Sequence, residues 1–444
     1  MNIYITFFLI LINTISIKAQ EKNKYVKLEG KIKNFSNEMP LEDMSELKDL
    51  TSDNLISLIK SDSNGNFSIK FILKEANYFR LGRNIMYLSP NDNLNVIIDA
   101  SNPANSYFKG IGEFANDFLK NTAFPKGGSY LEAGDNIKNS IEETMVEILK
   151  IANARKTNLH NQKKISLEFE YLEEARINCD ILNSIKYLFM YYSATHKLPK
   201  DSIPIIKEKC KNLDSIYTAK FKKKLLNPKF LKLVVYRDIL HSIMNDSNSI
   251  FSPQIKDYFR AKRIKKILDT TFLKPDFLKL QVQLKEIITY KYKKILSNEI
   301  ERKLKFNNGD TALDLELKTY ADKVKRLSEF KGKIIYIDLW ATWCGPCVNE
   351  LPYFDKLKEK YLNNQDIIFL SLSIDDEEDK WLKFVLKSKD FKNQFIIDRS
   401  KLKSYRVASI PRFILIDRNF IVVSLEAEMP SSPKIINQIE RLLK

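Results

Sequence analysis

The stretch Asp338-Leu339-Trp340-Ala341-Thr342-Trp343-Cys344-Gly345-Pro346-Cys347-Val348-Asn349-Glu350-Leu351-Pro352 sets a Cys-x-x-Cys pair directly behind a run of buried-strand character. Residues 334–340 are apolar and β-prone, the pattern of a short strand covered on both faces. Beyond the pair, Val348, Leu351, Phe354 and Leu357 recur at helical spacing, so Cys344 falls at the N-terminal end of a helix. Unpaired amides and the positive end of the helix dipole favour an anion there, which lowers a thiol pKa. This is the layout of a redox-active dithiol. Pro346 has the φ of a first helical turn and lacks an amide that would find no partner there.

The two thiols are not expected to be equivalent. Cys344, at the helix tip, is the expected attacking nucleophile, and Cys347, one turn in against the protein body, the expected resolving thiol. Cys-x-x-Cys is also half of a zinc site. A second Cys/His pair at matching spacing is absent, however, and the chain has only three histidines, His160, His196 and His241. Neither a metal nor a cofactor is expected.

With Lys331-Gly332-Lys333 ahead of the strand and Glu350-Leu351-Pro352 after the pair, the segment resembles thioredoxin. Within that superfamily it resembles the TlpA/ResA-type extracytoplasmic thiol-disulfide oxidoreductases, over residues 306–444, about a third of the chain. Asp338, six residues before Cys344, matches the buried Asp of thioredoxin, and Glu350 the acid typical of the TlpA/ResA branch. Either carboxylate could take the proton that the resolving thiol must lose, and burial would raise its pKa toward working pH. The alternative is an ordinary surface or helix-start acid. Pro352, inside the helix pattern, should kink it.

Farther on, Ser409-Ile410-Pro411-Arg412 precedes a strand, and the resemblance implies a cis Pro411 beside the dithiol, with the Ile410 backbone free to pair with an extended substrate. Thioredoxin has Thr after this Pro, whereas Arg412 stands here. It is either a fixed positive charge beside the dithiol, favouring thiolate or acidic substrates, or a solvated strand-end arginine. Trp343, Gly345, Pro346, Ile410 and Arg412 are the expected substrate-binding residues, and Cys344, Cys347, Glu350, Asp338 and Pro411 the expected catalytic ones.

The rest of the segment reads as a strand over residues 367–374 and a helix opened by Asp375-Asp376-Glu377-Glu378-Asp379. A hairpin of residues 413–416 with 421–425 follows, and then a last helix with Ser432 as N-cap and Pro433 as its first residue.

At 444 residues the chain has room for about three domains. Residues 1–19 read as a signal peptide. Residues 3–17 are almost continuously apolar, with a small residue, Ala19, before Gln20; the alternative is an uncleaved N-terminal anchor. Residues 20–115 read as mostly β, with a hairpin at Asn64-Gly65 and further strands over 79–88 and 94–98, and resemble the β-domain that often precedes TlpA-like modules. Residues 116–305 read as helical, and Cys179 and Cys210 there either staple two helices or stay buried and free. The fold class is therefore multidomain: a mostly-β domain, an all-α region and an α/β thioredoxin-like fold.

The net charge of +17 invites a nucleic-acid reading until it is placed along the chain. Residues 306–444 hold 23 Lys/Arg against 21 Asp/Glu, so the excess sits earlier, largely on helical stretches such as Lys222-Lys223-Lys224 and residues 260–266. Solvated helix faces or an acidic envelope surface explain it better than nucleic acid. The chain is expected to be an exported, periplasmic or envelope enzyme that reduces or exchanges disulfides of envelope proteins, supplied by a membrane thiol electron donor. A disulfide-forming oxidant or isomerase is the alternative in the same chemistry. A binding or chaperone protein working through its N-terminal region is the alternative outside it.

Overall fold

The computed structural model describes residues 24–34, 38–51, 55–122, 128–244, 250–387, 393–407 and 409–444. The expected signal peptide lies outside the described residues. The chain divides into two compact units, Met1–Ile255 and Lys256–Lys444.

Among the described residues the first unit has eight strands: β1 (Tyr25–Lys33), β2 (Glu38–Asp43), β3 (Leu55–Lys60), β4 (Asn66–Ile72), β5 (Asn77–Leu81), β6 (Asn84–Leu88), β7 (Asn93–Asp99) and β8 (Tyr107–Ile111). They form two sheets, ordered β4-β1-β7-β8 and β3-β2-β5-β6. Val26, Leu28 and Val96 of the first share one core with Leu41, Phe79 and Met86 of the second, so the sheets pack as a sandwich.

The Asn64-Gly65 hairpin is corrected by this topology. The turn itself forms, with the Asp62 N–H donating to the Asn66 carbonyl at 3.0 Å and Gly65 at φ 83°. No ladder follows it, because β3 pairs with β2 and β4 with β1. Ile59 and Phe67 both enter the shared core, so the turn carries the chain from one sheet to the other. Residues 79–88, read as one strand, are likewise the β5–β6 hairpin, turned at Gly82 with φ 60°.

The helices of the middle region are α1 (Glu113–Leu119), α2 (Ile141–His160), α3 (Leu167–His196), α4 (Ile203–Lys222), α5 (Val234–Met244), α6 (Pro253–Thr270), α7 (Lys274–Gln283) and α8 (Tyr290–Leu304). Ser166 caps α3 by accepting the Phe169 N–H at 3.2 Å. Buried Glu173 on α3 accepts from the Tyr78 hydroxyl of β5 at 2.7 Å and pairs with Arg155 of α2 at 3.0 Å, tying sandwich to helices. Cys179 and Cys210 are free and buried. Burial pushes the Cys179 thiol pKa far up, with the Asp180 charge adding to it, and raises that of Cys210 to about 11. Both therefore stay protonated at neutral pH.

In the second unit the strands are β9 (Glu316–Thr319), β10 (Val324–Arg326), β11 (Ile334–Trp340), β12 (Ile367–Ser373), β13 (Gln394–Ile396), β14 (Arg412–Ile416) and β15 (Val422–Ser424), in sheet order β10-β9-β13-β12-β11-β14-β15. β11 pairs parallel with β12 and antiparallel with β14, and all seven of its residues are buried. Helices α9 (Gly345–Lys360) and α11 (Lys434–Leu443) cover one face, where Phe354, Leu357, Ile435 and Ile439 meet Tyr336, Phe369 and Phe413. The other face holds Ile335, Ile337, Leu339 and Ile414, with Trp381 of α10 (Glu378–Val385). This is the α/β thioredoxin-like fold, joined to an N-terminal β-rich region and a helical middle. Helix α11 starts at Lys434, one residue later than expected, with the Ser432 hydroxyl accepting the Lys434 N–H at 3.4 Å.

Residues 256–305 belong to this second unit. Phe272 packs against the core that includes both Cys344 and Cys347, and the Phe306 ring meets Tyr405 at 5.0 Å.

Candidate active site

Strand β11 ends at Trp340, whose carbonyl accepts the Ile374 N–H at 2.9 Å, and the chain then turns into α9. Cys344 is the N-cap residue, with its sulfur accepting the Cys347 N–H at 3.2 Å. A disulfide joins Cys344 and Cys347, whose Cα atoms are 5.3 Å apart, so this is the oxidised form. Cys344 is 5% exposed and Cys347 2%, whereas Trp343 is 62% exposed. The exposed tip expected for Cys344 is thus made by Trp343, Gly345 and Pro346, because the N-cap side chain folds back over its own first turn. Helix α9 continues through Pro352.

Asp338 lies in the middle of β11, opposite Ser371 and Phe413, and is 3% exposed. Burial pushes its carboxyl pKa up to about 8, the Glu350 charge adds to the rise, and Lys358 opposes it. The Glu350 carboxylate accepts from the Ser431 N–H at 3.0 Å and the Ser431 hydroxyl at 2.8 Å, which ties α9 to the segment before α11. A cleft of about 680 Å³ opens there, lined by Val348, Glu350, Tyr353, Lys356 and Ser431 among others.

The Ile410–Pro411 peptide bond is cis, and Ile410 packs against the core that includes both cysteines. Arg412 is not the solvated strand-end arginine of the second expectation. It is 9% exposed, pairs with Glu426 at 3.1 Å, and lies 5.8 Å from the Phe272 ring centroid. As the first residue of β14, opposite Leu339, it enters the sheet interior rather than the surface. Its guanidinium is held inside the protein.

Asp375 was read only as part of an acidic helix start, but it has a separate task. Helix α10 begins at Glu378, and Asp375 is left at the end of β12, 8% exposed. Its carboxylate accepts from the Thr342 N–H at 3.0 Å, the Thr342 hydroxyl at 2.7 Å and the Ser373 hydroxyl at 2.6 Å. The loop that carries Trp343 and Cys344 is thereby fastened to the neighbouring strand. Asp375→Ala leaves these donors without an acceptor and is expected to cost about 2–4 kcal/mol, seen as a lower urea midpoint at unchanged m value. Asp375 and Ser431 are the site residues that sequence reasoning missed. The one available signal was position, since Asp375 follows the carboxyl end of a strand adjacent to the one that carries the dithiol.

Among the described residues, no group of three or more His, Cys, Asp or Glu is arranged to hold a metal ion, and no helix is long and apolar enough to cross a membrane.

The family described as Redoxin matches residues 307–442. The thiol-disulfide oxidoreductase ResA of Bacillus thuringiensis subsp. konkukian is 32% identical over 121 residues, which are 27% of this chain and 69% of that protein. The thioredoxin-like protein YneN of Bacillus subtilis is 25% identical over 123 residues, 28% of this chain and 72% of that protein. Among solved structures, the thioredoxin domain of a thiol-disulfide oxidoreductase from Bacteroides vulgatus is 23% identical, with a TM-score of 0.29, covering 31% of this chain and 99% of that one.

Proposed function

The chain belongs to the ResA-like thiol-disulfide oxidoreductases of the thioredoxin superfamily, and we propose that it reduces or exchanges disulfides of cell-envelope proteins through Cys344 and Cys347. The reading rests above all on the Cys344–Cys347 disulfide closing the first turn of α9. In the reduced enzyme the Cys344 thiolate, at the N-terminus of α9, attacks one sulfur of a substrate disulfide. A bond forms between them, and the other substrate sulfur leaves as a thiolate that takes up a proton. Cys347 then gives its proton to a carboxylate and attacks the Cys344 sulfur, which releases the second substrate thiol and restores the Cys344–Cys347 disulfide. Two electrons pass from enzyme to substrate, so a membrane thiol donor must return them.

Asp338 is the proton acceptor of this scheme, because a carboxyl titrating at about 8 takes and returns a proton near neutral pH. Glu350, anchored by Ser431, raises that proton affinity. Pro411 with its cis bond, Ile410, Trp343, Gly345 and Pro346 form the substrate-facing surface. Arg412, paired with Glu426, follows Pro411 directly and stays with these residues as a substrate-binding position. The chain acts after export, in the periplasm or cell envelope, with residues 1–19 as the signal, a β domain to residue 115, a helical region to 305 and the redox domain beyond.

The deciding experiment is the equilibrium reduction potential of the dithiol. Since Cys179 and Cys210 stay protonated and buried, the unsubstituted protein can be titrated directly. A value near about −270 mV is expected for a reductant, and one near about −120 mV would make the chain a disulfide-forming oxidant.

A further inference from the structure

Residues 256–305 carry fifteen lysines and arginines against six acids, about half of the net charge of +17. They lie in the same compact unit as the dithiol, whose remaining part is nearly balanced in charge. Within them, one short run of chain leaves five large apolar side chains in solvent. Leu273, Leu278, Val282, Ile288 and Tyr290 are 52, 55, 62, 71 and 73% exposed. Leu278 and Val282 stand four residues apart on α7 and share a face, while Phe277 and Leu280 of the same helix are buried in the unit. The helix is thus apolar both inward and outward, and grouped exposure of this kind marks an interaction surface.

The side chains around it fix what kind of surface it meets. Residues 271–294 hold six lysines, Lys274, Lys279, Lys285, Lys291, Lys293 and Lys294, against Asp276 and Glu286. Lys274 pairs with Asp310 and Lys279 with Asp276, and the Lys294 ammonium stands 5.9 Å from the centroid of the Tyr290 ring. An acidic protein would satisfy the lysines and leave the apolar side chains in water, and an apolar partner would have to strip water from the lysines. An anionic bilayer meets both demands. Apolar side chains and the Tyr ring enter the headgroup boundary, and the lysine stems carry their charge to the phosphates. We propose that the α7–α8 face of the redox unit docks on an anionic phospholipid surface.

None of these residues takes part in disulfide exchange, so docking and exchange can be tested separately. The test is co-sedimentation of the full oxidised chain with vesicles of phosphatidylcholine and phosphatidylglycerol at roughly three to one, against phosphatidylcholine alone, with the salt dependence followed. The chain is expected to partition preferentially to the anionic vesicles, more weakly as salt rises. Each lysine lost should lower partitioning about fivefold, so Lys285→Gln with Lys294→Gln should lower it about 25-fold. Leu278→Gln with Val282→Gln should lower it as well, and both variants should keep the exchange rate of the parent in solution. Variants that partition like the parent would overturn the proposal. So would Leu278→Gln with Val282→Gln dissociating a dimer in gel filtration without lipid, which would give the face to a second copy.

Discussion

Cys344→Ser is expected to abolish disulfide exchange, lowering the rate by about a thousandfold or more, as removal of a covalent nucleophile does elsewhere. A serine hydroxyl at the α9 N-cap is not ionised at neutral pH and cannot attack sulfur. Cys347→Ser should behave differently. It leaves the first attack intact and removes the group that resolves it, so the protein should accumulate as a mixed disulfide with its substrate, visible as added mass on a non-reducing gel and lost on reduction. Trapping by Cys344→Ser instead would exchange the two roles. Full activity of both variants would transfer the function to the N-terminal β and helical regions.

The largest effect on stability should come from Asp338. In the oxidised protein its carboxyl titrates at about 8, whereas in an unfolded chain it titrates at the ordinary 3.8. Between these values folding takes up a proton, so stability is greatest below the lower one, falls as pH rises through the window, and levels off above it. At 1.36 kcal/mol for each tenfold difference in proton affinity, the fall is on the order of 3–5 kcal/mol once relaxation around the site is allowed for. Asp338→Asn, which cannot ionise, should therefore stabilise the oxidised protein by that amount near pH 8 and by less than about 1 kcal/mol near pH 4. Urea unfolding of both proteins across this range tests the expectation. Parallel stability curves for the two proteins would show that folding does not raise the pKa of this carboxyl.

The redox core was legible in the sequence because its signals are local. Seven consecutive buried residues give β11 no alternation, the helical spacing of Phe354 and Leu357 starts directly after Cys347, and Pro346 fits only a first turn. What could not be read was set by partners distant in sequence. The turn chemistry of Asp62 and Gly65 specifies a reversal, but not whether β3 and β4 join the same sheet, which the shared core decides. Asp375 is chemically indistinguishable from the four acids that follow it until Thr342 is brought against it from the loop after β11. The burial of Arg412 could not be read because nothing near it in sequence announces Phe272, 140 positions earlier. That contact lies within the compact unit Lys256–Lys444.

The contrast between Trp343 and the other two tryptophans has a spectroscopic consequence. Trp340 and Trp381 are sealed in the interior at 1% and 0% exposure, while Trp343, next in sequence to Cys344, is mostly in solvent. Emission from the long-wavelength edge of the fluorescence band therefore belongs to one indole that adjoins the reacting sulfur. Turnover could be followed in real time by that intrinsic signal, with no dye and no engineered label.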